Sequence, residues 1–176
     1  MIRRAIDSGL PRGTVLADAA DGGAKEFRAE LRRLGLDYAV AVNSTANVQP
    51  VDRSGAVRDQ PCQLKTLALE LKTQGAFRRC TLRQGSRRAM TAQFARVRVQ
   101  VNKDEQATLL IEWRDHEHEP ANYFFISMAE PPPSNKQLVS LVMQRWRTER
   151  TYQDLKGELD LDKPPSEKAT TEELTQ

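Results

Sequence analysis

Two short apolar runs separated by one amphipathic segment constrain this chain more than anything else in its sequence. Thr14-Val15-Leu16-Ala17 follows Gly13 and ends at Asp18. The second run is Tyr38-Ala39-Val40-Ala41-Val42. Between them Gly22-Gly23 break the chain, then Phe27, Leu31 and Leu34 recur at helical spacing, and Gly35 is placed as a C-terminal stop. Short apolar runs bounded by turn residues read as buried strands, and a helix between two of them is the usual crossover of a parallel pair. Residues 14–42 are therefore expected to form one strand–helix–strand unit of a parallel α/β sheet. In such sheets functional groups gather at the carboxyl ends of strands, which is where Asp18 stands.

Downstream the pattern changes. Residues 43–60 are polar and irregular and read as loop, whereas residues 77–101 read as β-rich. The clearest stretch is Phe94-Ala95-Arg96-Val97-Arg98-Val99-Gln100-Val101. Its alternation would bury valine on one face and present guanidinium groups on the other. Residues 108–113 and 123–127 are further expected strands, separated by a charged turn around His116 and His118. Pro131-Pro132-Pro133 stops that region, and Ser134 is suited to cap a long helix running through about residue 159. After Asp160 the composition turns to Lys, Pro, Ser, Thr and Glu, so residues 163–176 are expected to be a disordered tail. There are no internal repeats.

A chain of 176 residues can build one domain with a real core. Its 39% hydrophobic and 29% charged residues fit a globular protein, and it has no apolar run of bilayer-spanning length. The start, Met1-Ile2-Arg3-Arg4, leads into no apolar stretch of the kind a secretory signal needs. Cys62 and Cys80 lack metal-ligand spacing, and a reduced, cytoplasmic setting is the expectation. The net charge of +3 hides an uneven distribution. Residues 71–103 hold no Asp or Glu but carry Lys72, Arg78, Arg79, Arg83, Arg87, Arg88, Arg96, Arg98 and Lys103. Such a block is an electrostatic footprint for polyanions, although a solvated surface is the commoner meaning of a charge run.

The long helix places charge where apolar residues belong. Counting ~100° per residue from Leu138, the positions Leu141, Val142, Arg145, Glu149, Tyr152 and Lys156 share one side. Charge on a core-facing stripe is costly unless it is paired, hydrated in a cleft or bound to metal. The bland reading of Glu149 is an i,i−4 salt bridge with Arg145, worth a few tenths of a kcal/mol. The sharper one joins it to Asp18, because two carboxylates brought together by the fold could hold divalent ions for phosphoryl chemistry. Weaker signals include His116-Glu117-His118-Glu119, where i,i+2 histidines in a charged turn are more often solvated than metal-bound. Trp113 and Trp146 could stack on bases but are more often core. No nucleophile elbow, phosphate loop or Cys–His pair is present.

Arg145-Trp146-Arg147-Thr148-Glu149, followed by Tyr152-Gln153-Asp154-Leu155-Lys156 and Glu158-Leu159, resembles the last catalytic helix of insertion-sequence DDE transposases, whose signature is Y-x2-R-x3-E-x6-K. Arg145, Glu149 and Lys156 match three positions, and Val142 departs from the Tyr position. Val15-Leu16-Ala17-Asp18-Ala19-Ala20 is similar to the strand bearing the family's second catalytic Asp, with Asp21 where an aromatic is common. Leu109-Leu110-Ile111-Glu112-Trp113 and the strand near Phe124 resemble the β-rich insertion between second Asp and Glu. The resemblance covers most of residues 5–162.

It implies an RNase H-like α/β core, incomplete because N-terminal strands are missing, with a β-rich insertion. Residues 1–45 would be core, 46–130 the insertion, 131–162 the catalytic helix and 163–176 the tail. The implied activity is Mg²⁺- or Mn²⁺-dependent cleavage at transposon ends, then strand transfer to target DNA. Asp18 and Glu149 would be catalytic metal ligands. Arg145, Lys156 and Arg147 on the helix, with Arg96 and Arg98 on the β-strand, would contact DNA. The partner is DNA, with a homodimer left open and no membrane. Only 17 residues precede Asp18, and Asp7 is not in a strand context, so the first catalytic Asp is unassigned. The expectation is a cytoplasmic, DNA-associated transposase fragment that is impaired on its own. The rival is a non-catalytic nucleic-acid-binding protein using residues 71–103, and the bland alternative is a remnant without activity.

Overall fold

The structure is a computed structural model that describes residues 2–84, 89–129 and 133–158. Within these, the side chains of 83, 84, 89, 90, 146, 147, 149, 150, 152–154 and 156–158 are outside the description. The expected tail at 163–176 and residues Pro131 and Pro132 also lie outside the described residues.

The expected strand–helix–strand unit is present. β1 (Val15–Ala17) pairs in parallel with β2 (Tyr38–Val42), register Val15↔Tyr38 to Ala17↔Val40. The crossover holds a short α2 (Ala19–Gly22) and α3 (Lys25–Arg33), and α1 (Ile2–Asp7) precedes β1. β2 is buried throughout and sorts its side chains by size. Tyr38, Val40 and Val42 enter one core, and Ala39 and Ala41 face the other.

A correction concerns residues 43–60, expected as loop. They contain β3 (Asn47–Val51), whose Gln49, Pro50 and Val51 pair with Gln100, Val99 and Arg98. β4 (Cys62–Gln63) and α4 (Leu64–Thr73) follow, the helix burying Leu64, Leu67 and Ala68. Next come β5 (Arg78–Gln84), the long β6 (Ala89–Asn102), β7 (Glu105–Arg114) and β8 (Asn122–Ser127). β5 and β3 share one edge of β6, each pairing with half of its length, while β7 occupies the other edge.

β8 pairs antiparallel with both β7 and β2, so the strands of residues 1–45 and those of 46–130 form one sheet. Its order is β1-β2-β8-β7-β6-β3-β4, with β5 off that path. One sheet face carries the core beneath α1, α3 and α4, centred on Tyr38, Leu109, Ile111 and Phe125. The opposite face carries α5 (Asn135–Glu158), which buries Leu138, Val139 and Val142 against Phe94, Leu110, Phe124 and Ile126. Ser134 Oγ accepts from Gln137 N at 3.3 Å, and Gln137 Oε1 accepts from Ser134 N at 2.8 Å. This reciprocal pair is a capping box that sets where the helix begins. The arginine–valine alternation of β6 is realised too, with Val99 fully buried under α4 and Arg96 and Arg98 on the α5 side.

Candidate active site

Asp18 ends β1 and caps α2. Its backbone is extended, at φ −81° and ψ −175°, and its Oδ1 accepts from Ala20 N at 2.9 Å and Asp21 N at 3.2 Å. A carboxylate fixed by two backbone donors has a defined orientation before any ligand arrives.

The short helix behind it is held just as firmly. A Cβ at Gly22 would lie 2.1 Å from Ala41 O and 2.9 Å from Val40 Cβ, so only glycine lets α2 lie this close to β2. Arg28 Nη1 donates to Gly22 O at 2.6 Å. The same guanidinium, itself 4% exposed, pairs with Glu105 through Nε at 2.8 Å and Nη2 at 3.2 Å. Glu105, at the start of β7, also accepts from Tyr38 Oη at 2.8 Å and Asn102 Nδ2 at 2.7 Å, and Arg32 Nη1 stands 2.9 Å away. Burial pushes the Glu105 carboxyl up, but hydrogen bonds from Arg28 and Tyr38 and the charges of Arg28 and Arg32 outweigh it and hold it below its ordinary value. Burial, then the Glu105 charge, raises the Tyr38 phenol to about 12.

On the other side of Asp18, α5 brings Arg145 up. Asp18 and Arg145 line one cleft of about 520 Å³, together with Asn43, Ser44, Asn122 and Tyr123. These residues stand at the carboxyl end of β2 and the amino end of β8, which the antiparallel β2–β8 pairing puts at the same end of the sheet. Arg145 continues the buried stripe of Leu138 and Val142, as the helical count required. Val142 itself is 3% exposed and belongs to the core under α5. Arg145 also lines an adjoining cleft of about 260 Å³ with Asn122 and the buried carboxylate Glu112.

Not every expected site residue comes to this cleft. Arg96 and Arg98 line a separate one of about 350 Å³ near the start of α5, where Arg96 Nη1 donates to Pro133 O at 2.8 Å and Arg98 Nη2 to Gln106 Oε1 at 3.0 Å. Arg147, Glu149 and Lys156 are carried by α5, with Glu149 one turn beyond Arg145, but their side chains lie outside the described residues. His116 and His118 line a third cleft, of about 560 Å³, with Lys72, Arg79 and Trp113. Among the described residues no three His, Cys, Asp or Glu side chains cluster as a metal site. Glu105 and Glu112 were not singled out as site residues from sequence. Glu112 stands between Ile111 and Trp113 in a run of apolar residues, which marks a carboxylate needing a partner, whereas Glu105 follows Lys103 and Asp104 in a polar turn and carries no such mark.

A family model described as DDE superfamily endonuclease matches residues 1–89, just over half the chain. The chain belongs to the DDE superfamily endonucleases. No curated protein matches it. The matched region carries Asp18, Gly22 and Arg28 and stops before β7, β8 and α5. Membership gives a transposase-like nuclease with DNA as its substrate, and DDE superfamily nucleases typically use a divalent metal. Among the described residues no helix is long and apolar enough to cross a membrane. Asp18 suits a hard cation, being an exposed carboxylate in a cleft whose other side chains include amide and hydroxyl groups. It is the one carboxylate among the described residues that line this cleft.

Proposed function

We propose that this DDE superfamily chain is part of the catalytic domain of an insertion-sequence transposase of the Y-R-E-K group, with an RNase H-like core spanning residues 1–45 and 131–162. Asp18 and Glu149 would hold Mg²⁺ or Mn²⁺, while Arg145, Arg147 and Lys156 bind DNA phosphates beside them. The observation that carries this reading is the cleft shared by Asp18 and Arg145, since Arg145 stands one turn ahead of Glu149 on the same helix. When bound, the ions would stabilise the developing charge on the attacking and leaving oxygens of the phosphodiester. The chain itself supplies orientation. The Ala20 and Asp21 N–H groups fix Asp18, and the Arg145 guanidinium can neutralise a phosphate in the cleft.

A first carboxylate would come from a strand added in parallel to the outer edge of β1, where no strand is paired among the described residues. Without it the ions are poorly held, and the chain alone is impaired. It would work in the cytoplasm, associated with DNA. The second reading is a non-catalytic nucleic-acid-binding protein using the basic residues 71–103, of which Lys72 and Arg79 line the third cleft beside Asp115 and Glu117. DNA binding that weakens steeply with salt fits both readings.

Metal binding separates them. Titration with Mn²⁺ should show an affinity that Asp18→Asn and Glu149→Gln each lower by at least tenfold. Strand nicking of transposon-end DNA should be weak or absent. Mn²⁺ affinity indifferent to both substitutions would remove the catalytic reading, and strong nicking abolished by Glu149→Gln would show that the chain is not impaired.

A further inference from the structure

Glu112 and Asn122 stand opposite each other on β7 and β8, on the face covered by α5. Asn122 Nδ2 donates to Glu112 Oε2 at 2.7 Å, and Glu112 Oε1 accepts from Arg114 Nε at 3.1 Å. Glu112 is 3% exposed. An ionised carboxylate only accepts, so the amide must turn its nitrogen to Glu112 and its oxygen away. Asn122 is half-buried and lines both the Asp18 cleft and the smaller cleft shared by Glu112 and Arg145. The amide oxygen, an acceptor, is left for a ligand there, beside the second N–H of Nδ2.

β2 lies between β1 and β8. Two strand spacings of ~4.8 Å across and two residues of ~3.4 Å along put the Asn122 backbone about 12 Å from that of Asp18. That is too far for both to hold one cation, and at ~3.4 Å per nucleotide along a strand it spans three or four nucleotides. Base edges differ in what they offer an acceptor. In the major groove adenine and cytosine present amino groups, whereas guanine and thymine present oxygens.

We infer that Asn122, oriented by Glu112, is a specificity-determining residue of the Asp18 cleft, accepting a hydrogen bond from the amino group of an adenine or cytosine three or four nucleotides from the phosphate bound beside Asp18. The inference rests on the DNA-cleaving reading of that cleft. Glu112 acts through Asn122 and is a positioning residue. Exchanging it for glutamine tests the orientation. Arg114 carries only donors, so the glutamine turns its oxygen to Arg114 and its nitrogen to position 122. The Asn122 amide then flips, and the cleft receives a donor in place of an acceptor.

The experiment selects DNA from a duplex pool randomised around a fixed centre, using the full chain, and sequences the bound fraction. The native chain should enrich adenine or cytosine at one position about threefold to tenfold, the worth of a single hydrogen bond. Asn122→Ala should erase that preference, and Glu112→Gln should invert it towards guanine or thymine. Glu112→Gln combined with Asn122→Asp restores an acceptor and should restore the preference, a rescue that a purely structural role would not produce. Unchanged base preference in Asn122→Ala overturns the inference while leaving the DNA-cleaving reading standing. A native chain that binds no DNA overturns both.

Discussion

At Gly22, a single methyl group decides whether the platform under Asp18 can form. Alanine there would drive Cβ to 2.1 Å from a backbone oxygen of β2, and backbone in a central strand cannot yield cheaply. We expect Gly22→Ala to destabilise the fold by about 1–3 kcal/mol in urea unfolding, the range typical of overpacking. Tyr38 makes a second prediction, about pH. Its phenol is raised to about 12 from 10.0, so the folded state holds the proton more tightly than the unfolded chain. The resulting stabilisation is complete below pH 10 and is lost as the pH rises to about 12. Tyr38→Phe should flatten the decline in stability over that interval, followed by urea midpoints at successive pH values. Tyr123, also raised to about 12 by burial and then the Glu119 charge, leaves a residual slope. The sequence pointed to Asp18 and Arg145 because strand-end position and helical angle are local properties. It did not point to the partnership of Arg28 with Glu105, which lie 77 positions apart, or to that of Glu112 with Asn122. Such pairings are set by sheet register, and no local spacing encodes them.

Among the elements, α5 depends on one patch for its position. Leu138 is 1% exposed in the middle of that patch, between the helix and the sheet. Leu138→Ala should cost about 2–5 kcal/mol, read as a lower urea midpoint, because the sheet beneath cannot collapse to fill the space. The long helix, the strand–helix–strand unit and the β6 alternation were all legible, since each carries its own period over enough residues to stand out. β3 was not. Asn47, Gln49 and Pro50 make it look like loop, and proline weakens any strand assignment. Only its pairing with the far half of β6 reveals it. α4 did carry a signal, with Leu64, Leu67, Ala68 and Leu71 at helical spacing, just ahead of the basic block that begins at residue 71, and it went unread.

For the molecule as a whole, the continuity of the sheet matters more than the division into core and insertion suggested by the chain order. β8 is bonded on one side to β2 and on the other to β7, so neither group of strands has an edge of its own at that seam. We expect one cooperative unfolding transition, with far-ultraviolet and near-ultraviolet circular dichroism superimposing in urea. Two separated transitions would show that the strands of residues 46–130 melt by themselves. The tie between Glu105 and Arg28 carries a consequence for anyone redesigning such an enzyme. A loop cassette can be exchanged when its only attachments are peptide bonds, but this hairpin also brings the counter-ion for a guanidinium sealed beneath the sheet. Grafting in a foreign hairpin without an acid at that turn would leave a solitary positive charge in a dry interior, at a cost of about 3–5 kcal/mol. Any transplant of the β6–β7 hairpin therefore has to carry Glu105 with it or replace Arg28 at the same time.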